Sequence, residues 1–264
     1  MRHFFTKTGF QDLKKLSISK TLFAFDYDGT LTALTPRISE AKLSLKTKNL
    51  LKKLHTYVPI VIVSGRSVSD LKATCSFKPT LFIGNHGLEG IGIGKQKKII
   101  FYKICKKWKE KLVQNISDIS GVELEDKKYS LAIHYRHAHR RAKIKHLLLK
   151  YVSELYPSPK IILGKSVINL LPNYELNKGV ALKKTIQKLK VTHAVYIGDD
   201  QTDEDVFRLP GNSILKIRVG KKKSSAAHFY LKNHFEINRF LNEILDVIPG
   251  LRLSSMRGEG SILN

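Results

Sequence analysis

Asp26 and Asp28 stand two apart in FDYDGTL (25–31), directly behind the apolar run LFAF (22–25). Carboxylates beside a buried strand are costly unless a cation or a reaction compensates them. A divalent cation relieves the repulsion between two such neighbours. A carboxylate can also act as a nucleophile, forming an aspartyl-phosphate. A second acidic group, GDDQTDED (198–205), follows AVYI (194–197) and supplies Asp199, Asp200 and Asp203. If both runs are neighbouring strands, the acids converge on an oxygen-rich site suited to Mg²⁺. Phosphoryl transfer asks chiefly for positioning and charge neutralisation. Ser64, Gly65 and Arg66 follow IVIV (60–63), where a hydroxyl, backbone N–H groups and a guanidinium could hold phosphate oxygens. Lys178, before Gly179 at an expected helix start, could reach both nucleophile and phosphate.

Each of these has an ordinary reading: DYDG as a surface turn, SGR as a loop, NKG as a helix start. GDDQTDED could be acids favouring a helix dipole. Their joint order, each behind an apolar run or at a helix start, points instead to one site. The positioning elements are short buried strands at 22–25, 60–64, 81–84 and 194–199. Amphipathic stretches lie between them, such as 44–57 with Leu45, Leu50, Leu51 and Leu54 on one side. Such alternation predicts a parallel sheet covered on both faces. The rhythm breaks from about 104 to 173. Ile104, Trp108, Leu112 and Ile116 mark a helix, and YSLAIHYR (129–136) alternates as a half-exposed strand. A second helix is expected near 138–155, and a hairpin over 160–171 turning near Gly164-Lys165. The expectation is an α/β core, 1–103 with 174–264, and an inserted α+β module, 104–173. The tail 253–264 has weak periodicity and is expected to fray.

The chain has 264 residues, 42% hydrophobic, enough for a substantial core. No apolar run approaches the roughly 20 residues that span a bilayer, and the N-terminal stretch lacks a leader's apolar segment. Cys75 and Cys105 form no metal pattern, so free thiols and a cytoplasmic setting are expected. Lys and Arg number 47 against 22 acidic residues, a formal +25. Residues 95–150 carry sixteen of these basic residues. That balance favours an anionic partner, and for most of these lysines the plain reading is a solvated face.

FDYDGTL (25–31), VSGR (63–66), GNHGLE (84–89), EDKKYSLAIHYR (125–136), NKGVAL (177–182) and GDDQTDEDVF (198–207) together resemble the haloacid dehalogenase-type phosphatases. Within them the chain is similar to the trehalose-6-phosphate phosphatases. The resemblance implies a haloacid dehalogenase-like Rossmannoid core with a cap. It also implies Mg²⁺ as cofactor and a sugar phosphate as substrate. It makes Asp26 the nucleophile and Asp28 the acid, then base. Asp26, the Asp28 backbone carbonyl and Asp199 would hold the ion, with Asp203 supporting Lys178 or a metal-bound water. Ser64 and Lys178 would bind the transferred group. Glu125, Lys127, His134 and Arg136 would meet sugar hydroxyls from the cap, with His86 and Glu89 in the passage between core and cap. His134 and Arg136 share one face of their strand on alternation alone.

One stretch departs from the pattern. Many relatives read GKxVxELRP where this chain has GKSVINLLP (164–172), placing Asn169 and Leu171 at the usual Glu and Arg. Asn169 can still bond a hydroxyl, but Leu171 cannot replace a guanidinium. A phosphatase for sucrose phosphate or mannosyl-phosphoglycerate is therefore an alternative. A basic nucleic-acid-binding protein is another, though no aromatic-interleaved basic platform is present. A monomer without membrane or nucleic-acid partners is expected. A scaffold that has lost its chemistry is disfavoured, because Asp26, Asp28, Ser64, Lys178, Asp199 and Asp203 are all present.

Overall fold

The structure, a computed structural model, describes residues 1–35, 40–91 and 93–258, the last ten of them as helical backbone. The chain forms two compact units: Met1–Ile91 with Asn177–Asn264, and Gly92–Leu176. In chain order the strands are β1 (Arg2–His3), β2 (Thr21–Phe25), β3 (Ile60–Val63), β4 (Leu81–Ile83), β5 (Glu123–Asp126) and β6 (Leu131–His134). They continue with β7 (Lys160–Gly164), β8 (Val167–Leu171), β9 (His193–Gly198), β10 (Ile214–Val219) and β11 (Phe229–Leu231). The helices are α1 (Lys7–Lys14), α2 (Leu45–His55), α3 (Val68–Thr74) and α4 (Lys95–Ile116). After them come α5 (Arg141–Ser153), α6 (Lys178–Lys188), α7 (Glu204–Phe207) and α8 (Glu236–Gly258).

In the first unit seven strands form one sheet, ordered β1-β11-β10-β9-β2-β3-β4, with every pair parallel. The two-residue period divides its side chains between two cores. Phe23, Phe25, Ile60, Ile62, Val195 and Ile197 join Leu51 and Leu54 of α2 and Phe240 and Ile244 of α8. Leu22, Ala24, Val61, Val63, Ala194 and Tyr196 join Ala181 and Leu182 of α6 and Val206 and Phe207 of α7. Burial on both faces explains why these strands read as continuous apolar runs. The central pair is β2 and β9, the two strands that lead into the acidic segments.

Two local expectations are corrected in this unit. Leu45 is 72% exposed. The buried stripe of α2 is Thr47, Leu51 and Leu54, and the Ser44 Oγ caps the helix by accepting the Thr47 N–H at 3.0 Å. Leu45, at the first helical position, points off that stripe. In the tail, α8 keeps helical backbone to Gly258, beyond the expected break at 253, and 259–264 lies outside the described residues.

The second unit is an antiparallel sheet, β5-β6-β8-β7, under α4 and α5. Leu131, Ile133, Ile168 and Leu170 pack on Trp108, Leu112, Ile116, Leu148 and Val152. Trp108 is the chain's one tryptophan; its indole N–H donates to the Pro157 carbonyl at 2.9 Å. The helix expected from Ile104 begins at Lys95, so this unit starts ahead of 104. Its first two turns are lysine-rich and put only Phe101 into a buried position, which hides their helical period. The β7–β8 turn is Lys165-Ser166, with Ser166 at φ 62°, one residue beyond the expected place. Ala132, expected on a half-exposed face, is fully buried between its register partners Glu125 and Asn169.

Candidate active site

β2 and β9 end together: the Asp26 N–H, just past β2, donates to the Ile197 carbonyl of β9 at 2.8 Å. Asp26 and the acidic loop after β9 are thereby set side by side. Carboxylate oxygens of Asp26, Asp199 and Asp203 lie within 4.8 Å of one another. Lys178, the first residue of α6, sends its ammonium between them. It donates to Asp26 Oδ1 and to Asp203 Oδ1, each at 2.7 Å, and is 2% exposed. Asn177 starts that helix, its side chain accepting the Val180 N–H at 2.9 Å.

Asp203 is held from several directions. The Tyr196 hydroxyl donates to Oδ1 at 2.7 Å and the Asp200 N–H to Oδ2 at 2.8 Å. The acids of GDDQTDED therefore do cap a helical turn, as one reading expected, while also forming the cluster. Two glycines make room. Gly29 has φ +85°, and a Cβ there would overlap the Asp199 carboxylate; Gly198 likewise lies against Asp203. The Thr30 hydroxyl donates to Asp199 Oδ1 at 3.3 Å.

Lys178 bonds two of the three carboxylates, and with all three ionised one ammonium leaves two negative charges uncompensated. Burial raises the Asp26 carboxyl well above its usual range, Lys178 opposes this, and Asp203 and Asp199 add to it. Asp199 is pushed up to about 7, first by burial and then by Asp203. Burial alone would lower Lys178, but Asp203 and Asp26 carry it above an ordinary lysine. An all-oxygen donor set with a surplus of two charges fits a hard divalent cation.

Asp28 stands apart from this group. β2 ends at Phe25 and the chain turns at once, the Leu31 and Thr32 N–H groups both donating to the Tyr27 carbonyl at 3.0 Å. Strand geometry does not persist to Asp28, and its carboxylate does not join Asp26. Arg66 grips it instead, Nε donating to Oδ2 at 2.7 Å and Nη2 to Oδ1 at 2.6 Å. Arg66 Nη1 donates to Asp70 Oδ2 at 2.9 Å. The guanidinium expected to meet phosphate oxygens is thus engaged by two carboxylates.

Ser64 is buried at the end of β3, its Oγ accepting the Arg66 N–H at 3.1 Å. The loops after β3 and β4 are stitched together. The Asn85 N–H donates to the Arg66 carbonyl at 2.7 Å and the His86 N–H to the Ser64 carbonyl at 3.0 Å. The His86 ring fills the space a Cβ on Gly65 would need. Glu89 orders this turn, its Oε2 accepting the Val68 N–H at the start of α3 at 2.6 Å.

The remaining expected residues belong to the second unit. Directly opposed residues of an antiparallel pair share a face, so Glu125, Ala132, His134 and Asn169 lie together. Glu125 Oε2 is 2.8 Å from His134 Nε2 and 3.5 Å from Lys127 Nζ. Burial would raise Glu125, but His134 and Lys127 hold it below the usual carboxylate range. Asn169 Nδ2 donates to the Ile162 carbonyl at 3.4 Å, and Leu171 is buried. Arg136, just past the end of β6, is half-buried.

Arg218, which motif reading missed, pins the acidic loop. From the carboxyl end of β10 it donates to the Asp199 carbonyl, to the Asp200 carbonyl at 3.0 Å and to Glu204 Oε1 at 3.2 Å. Its signal was the charge alternation inside ILKIRV (214–219), where Lys216 and Arg218 sit in an otherwise apolar run.

The parallel sheet, with acids gathered around a lysine at its central strand ends, has the fold of haloacid dehalogenase-like proteins. A haloacid dehalogenase-like hydrolase from Bacteroides thetaiotaomicron shares the fold at TM-score 0.54 and 15% identity, over 85% of this chain and 99% of that one. More particularly, the chain belongs to the trehalose-phosphatase family, whose model matches residues 24–234. It is 27% identical to "Probable trehalose-phosphate phosphatase D" of Arabidopsis thaliana, across 90% of this chain and 71% of that protein. The fold is also that of a "trehalose-6-phosphate phosphatase related protein", at TM-score 0.72 and 23% identity over 86% of this chain and 97% of that one.

Proposed function

We propose that this chain is an Mg²⁺-dependent phosphatase that hydrolyses trehalose 6-phosphate to trehalose and inorganic phosphate through an aspartyl-phosphate on Asp26. The observation that carries the reading is the cluster of Asp26, Asp199 and Asp203 around Lys178, two charges short of neutrality. Membership of the trehalose-phosphatase family supports the substrate. Asp26, the backbone carbonyl of Asp28 and Asp199 would hold the ion, with Asp203 supporting Lys178. When bound, the ion would supply charge neutralisation for the nucleophile and the phosphoryl oxygens.

Asp26 attacks phosphorus as the bond to the sugar oxygen breaks, and Asp28 gives that oxygen its proton. Asp28 then takes a proton from water as the water attacks the phosphorus of the acyl-phosphate, releasing phosphate and the Asp26 carboxylate. Ser64 and Lys178 hold the transferred group, with backbone N–H groups near Gly65. Residues of the second unit, Glu125, Lys127, His134, Arg136 and Asn169, bind sugar hydroxyls, and this unit serves as the lid. His86 and Glu89 shape the passage. Among the described residues no helix is long and apolar enough to cross a membrane, in keeping with a cytoplasmic enzyme.

A second reading keeps the chemistry and changes the sugar, and it rests on Asn169 and Leu171 replacing the expected Glu and Arg. Phosphate release from trehalose 6-phosphate, sucrose 6-phosphate, mannosyl-phosphoglycerate and glucose 6-phosphate separates the two. Trehalose 6-phosphate should be preferred, chelation should stop turnover and Mg²⁺ should restore it. Asp26→Asn should abolish turnover; near-native rates in that variant would end the assignment.

A further inference from the structure

We infer that Arg66 is a positioning residue for proton transfer by Asp28, steadied from behind by Asp70, and not a phosphate ligand. The inference rests on the reading of Asp28 as acid and base given above. All three guanidinium nitrogens of Arg66 are used on carboxylates: Nε and Nη2 on the two oxygens of Asp28, Nη1 on Asp70. A bidentate pair of this kind fixes the plane of a carboxylate as well as its place. Each Asp28 oxygen gives one lone pair to Arg66 and keeps another that can exchange a proton.

The guanidinium is itself caged. Arg66 is 4% exposed, lies 5.2 Å over the buried Tyr27 ring, and its backbone is tied to Ser64 and Asn85. Asp28, by contrast, keeps a third of its side chain exposed. A rigid cation thus holds an accessible carboxylate, which is the arrangement a proton-transfer group needs. Asp70 sits on α3, whose start is capped by the Ser67 hydroxyl accepting the Asp70 N–H at 3.1 Å. The chain of contacts runs from a helix, through Arg66, to Asp28.

The test compares kcat/KM for trehalose 6-phosphate, whose leaving alcohol needs a proton, with that for 4-nitrophenyl phosphate, whose leaving phenolate does not. Asp28→Asn sets the standard: it should lose far more on the sugar phosphate. Arg66→Ala should follow it, losing about 10²-fold or more on trehalose 6-phosphate and less than about tenfold on 4-nitrophenyl phosphate. Because water activation also needs Asp28, Arg66→Ala should leave a burst of nitrophenolate before slow turnover. Arg66→Lys, a point charge that cannot grip both oxygens, should fall between parent and Ala. Asp70→Asn should show the same preference more weakly.

Equal losses on both substrates in the Arg66 variants, with weakened inhibition by inorganic phosphate, would make Arg66 a phosphate ligand and overturn the inference. If Arg66→Ala fails to fold, the ratio in Arg66→Lys and Asp70→Asn decides, and an unchanged ratio in both overturns it. If Asp28→Asn itself does not discriminate between the substrates, the acid assignment falls and this inference with it. If only the Arg66 and Asp70 variants fail to discriminate, the acid assignment stands alone.

Discussion

Replacing Lys178 with Met tests the electrostatic core of the site most directly. Lys178 is 2% exposed and is the cation bonded to Asp26 and Asp203, at 2.7 Å each. Met is one atom shorter and fills most of the same space, so the change is chiefly one of charge. Deleting one partner of a buried ion pair costs about 3–5 kcal/mol, because the other charges remain buried. For a chain of this size each kcal/mol moves Tm by roughly 2–4 °C, giving a fall of roughly 6–20 °C at pH 7.5 without divalent ions. Two features separate this cause from lost packing. The fall should shrink at pH 5, where the buried Asp26 carboxyl, already raised, is protonated, and Asp203→Asn in the Lys178→Met background should recover part of it. Circular dichroism melts of the parent, the single variant and the double variant at both pH values supply the measurement. A loss under about 1 kcal/mol at pH 7.5, or one indifferent to pH, would refute the charge count on which the cation site rests.

Asp199 predicts a pH-dependent response to the metal. Its folded-state pKa, about 7 against 3.8, is raised, so its contribution to stability is complete below pH 4 and lost as pH rises to 7. At 1.36 kcal/mol per unit that is about 4 kcal/mol in the metal-free protein. The Tm gain from Mg²⁺ should therefore be larger at pH 8 than at pH 5, and an equal gain at both would contradict the assignment. Gly29→Ala should lose both stability and Mg²⁺ response, since a Cβ at φ +85° would overlap the Asp199 carboxylate; a parent-like Mg²⁺ titration in that variant would refute the tight fit.

The sheet was legible because its strands are buried on both faces. An apolar run of four or five residues ending in Asp, as in LFAF-Asp26 and AVYIG-Asp199, marks both a strand and the place where it stops. Asp26 and Asp199 could be named together for that reason, with Asp203 in the same acidic loop, while Lys178 was marked by a helix start. Asp28 and Arg66 show the limit. Alternation assumed a strand where the chain had already turned, and nothing local in SGR reveals an acceptor 38 residues earlier. Arg218 was missed because two of its three partners are main-chain carbonyls, which leave no trace in residue type, and the third, Glu204, lies 14 residues earlier. The start of α4 was late because lysines occupy the turns that carry no buried stripe. The edge strand Arg2–His3 has two residues, too few to show any period.

The chain comes back from its inserted unit at Asn177, a single residue before the buried ammonium. That junction is moored: the Asn177 side chain clasps the first turn of α6, and Gly87 packs against its carbonyl without room for a Cβ. Whatever is spliced between Ile91 and Asn177 must therefore tug on an anchored peptide before it can disturb the lysine. Such a mooring would let the insert be lengthened or reshaped while Lys178 keeps its place between Asp26 and Asp203.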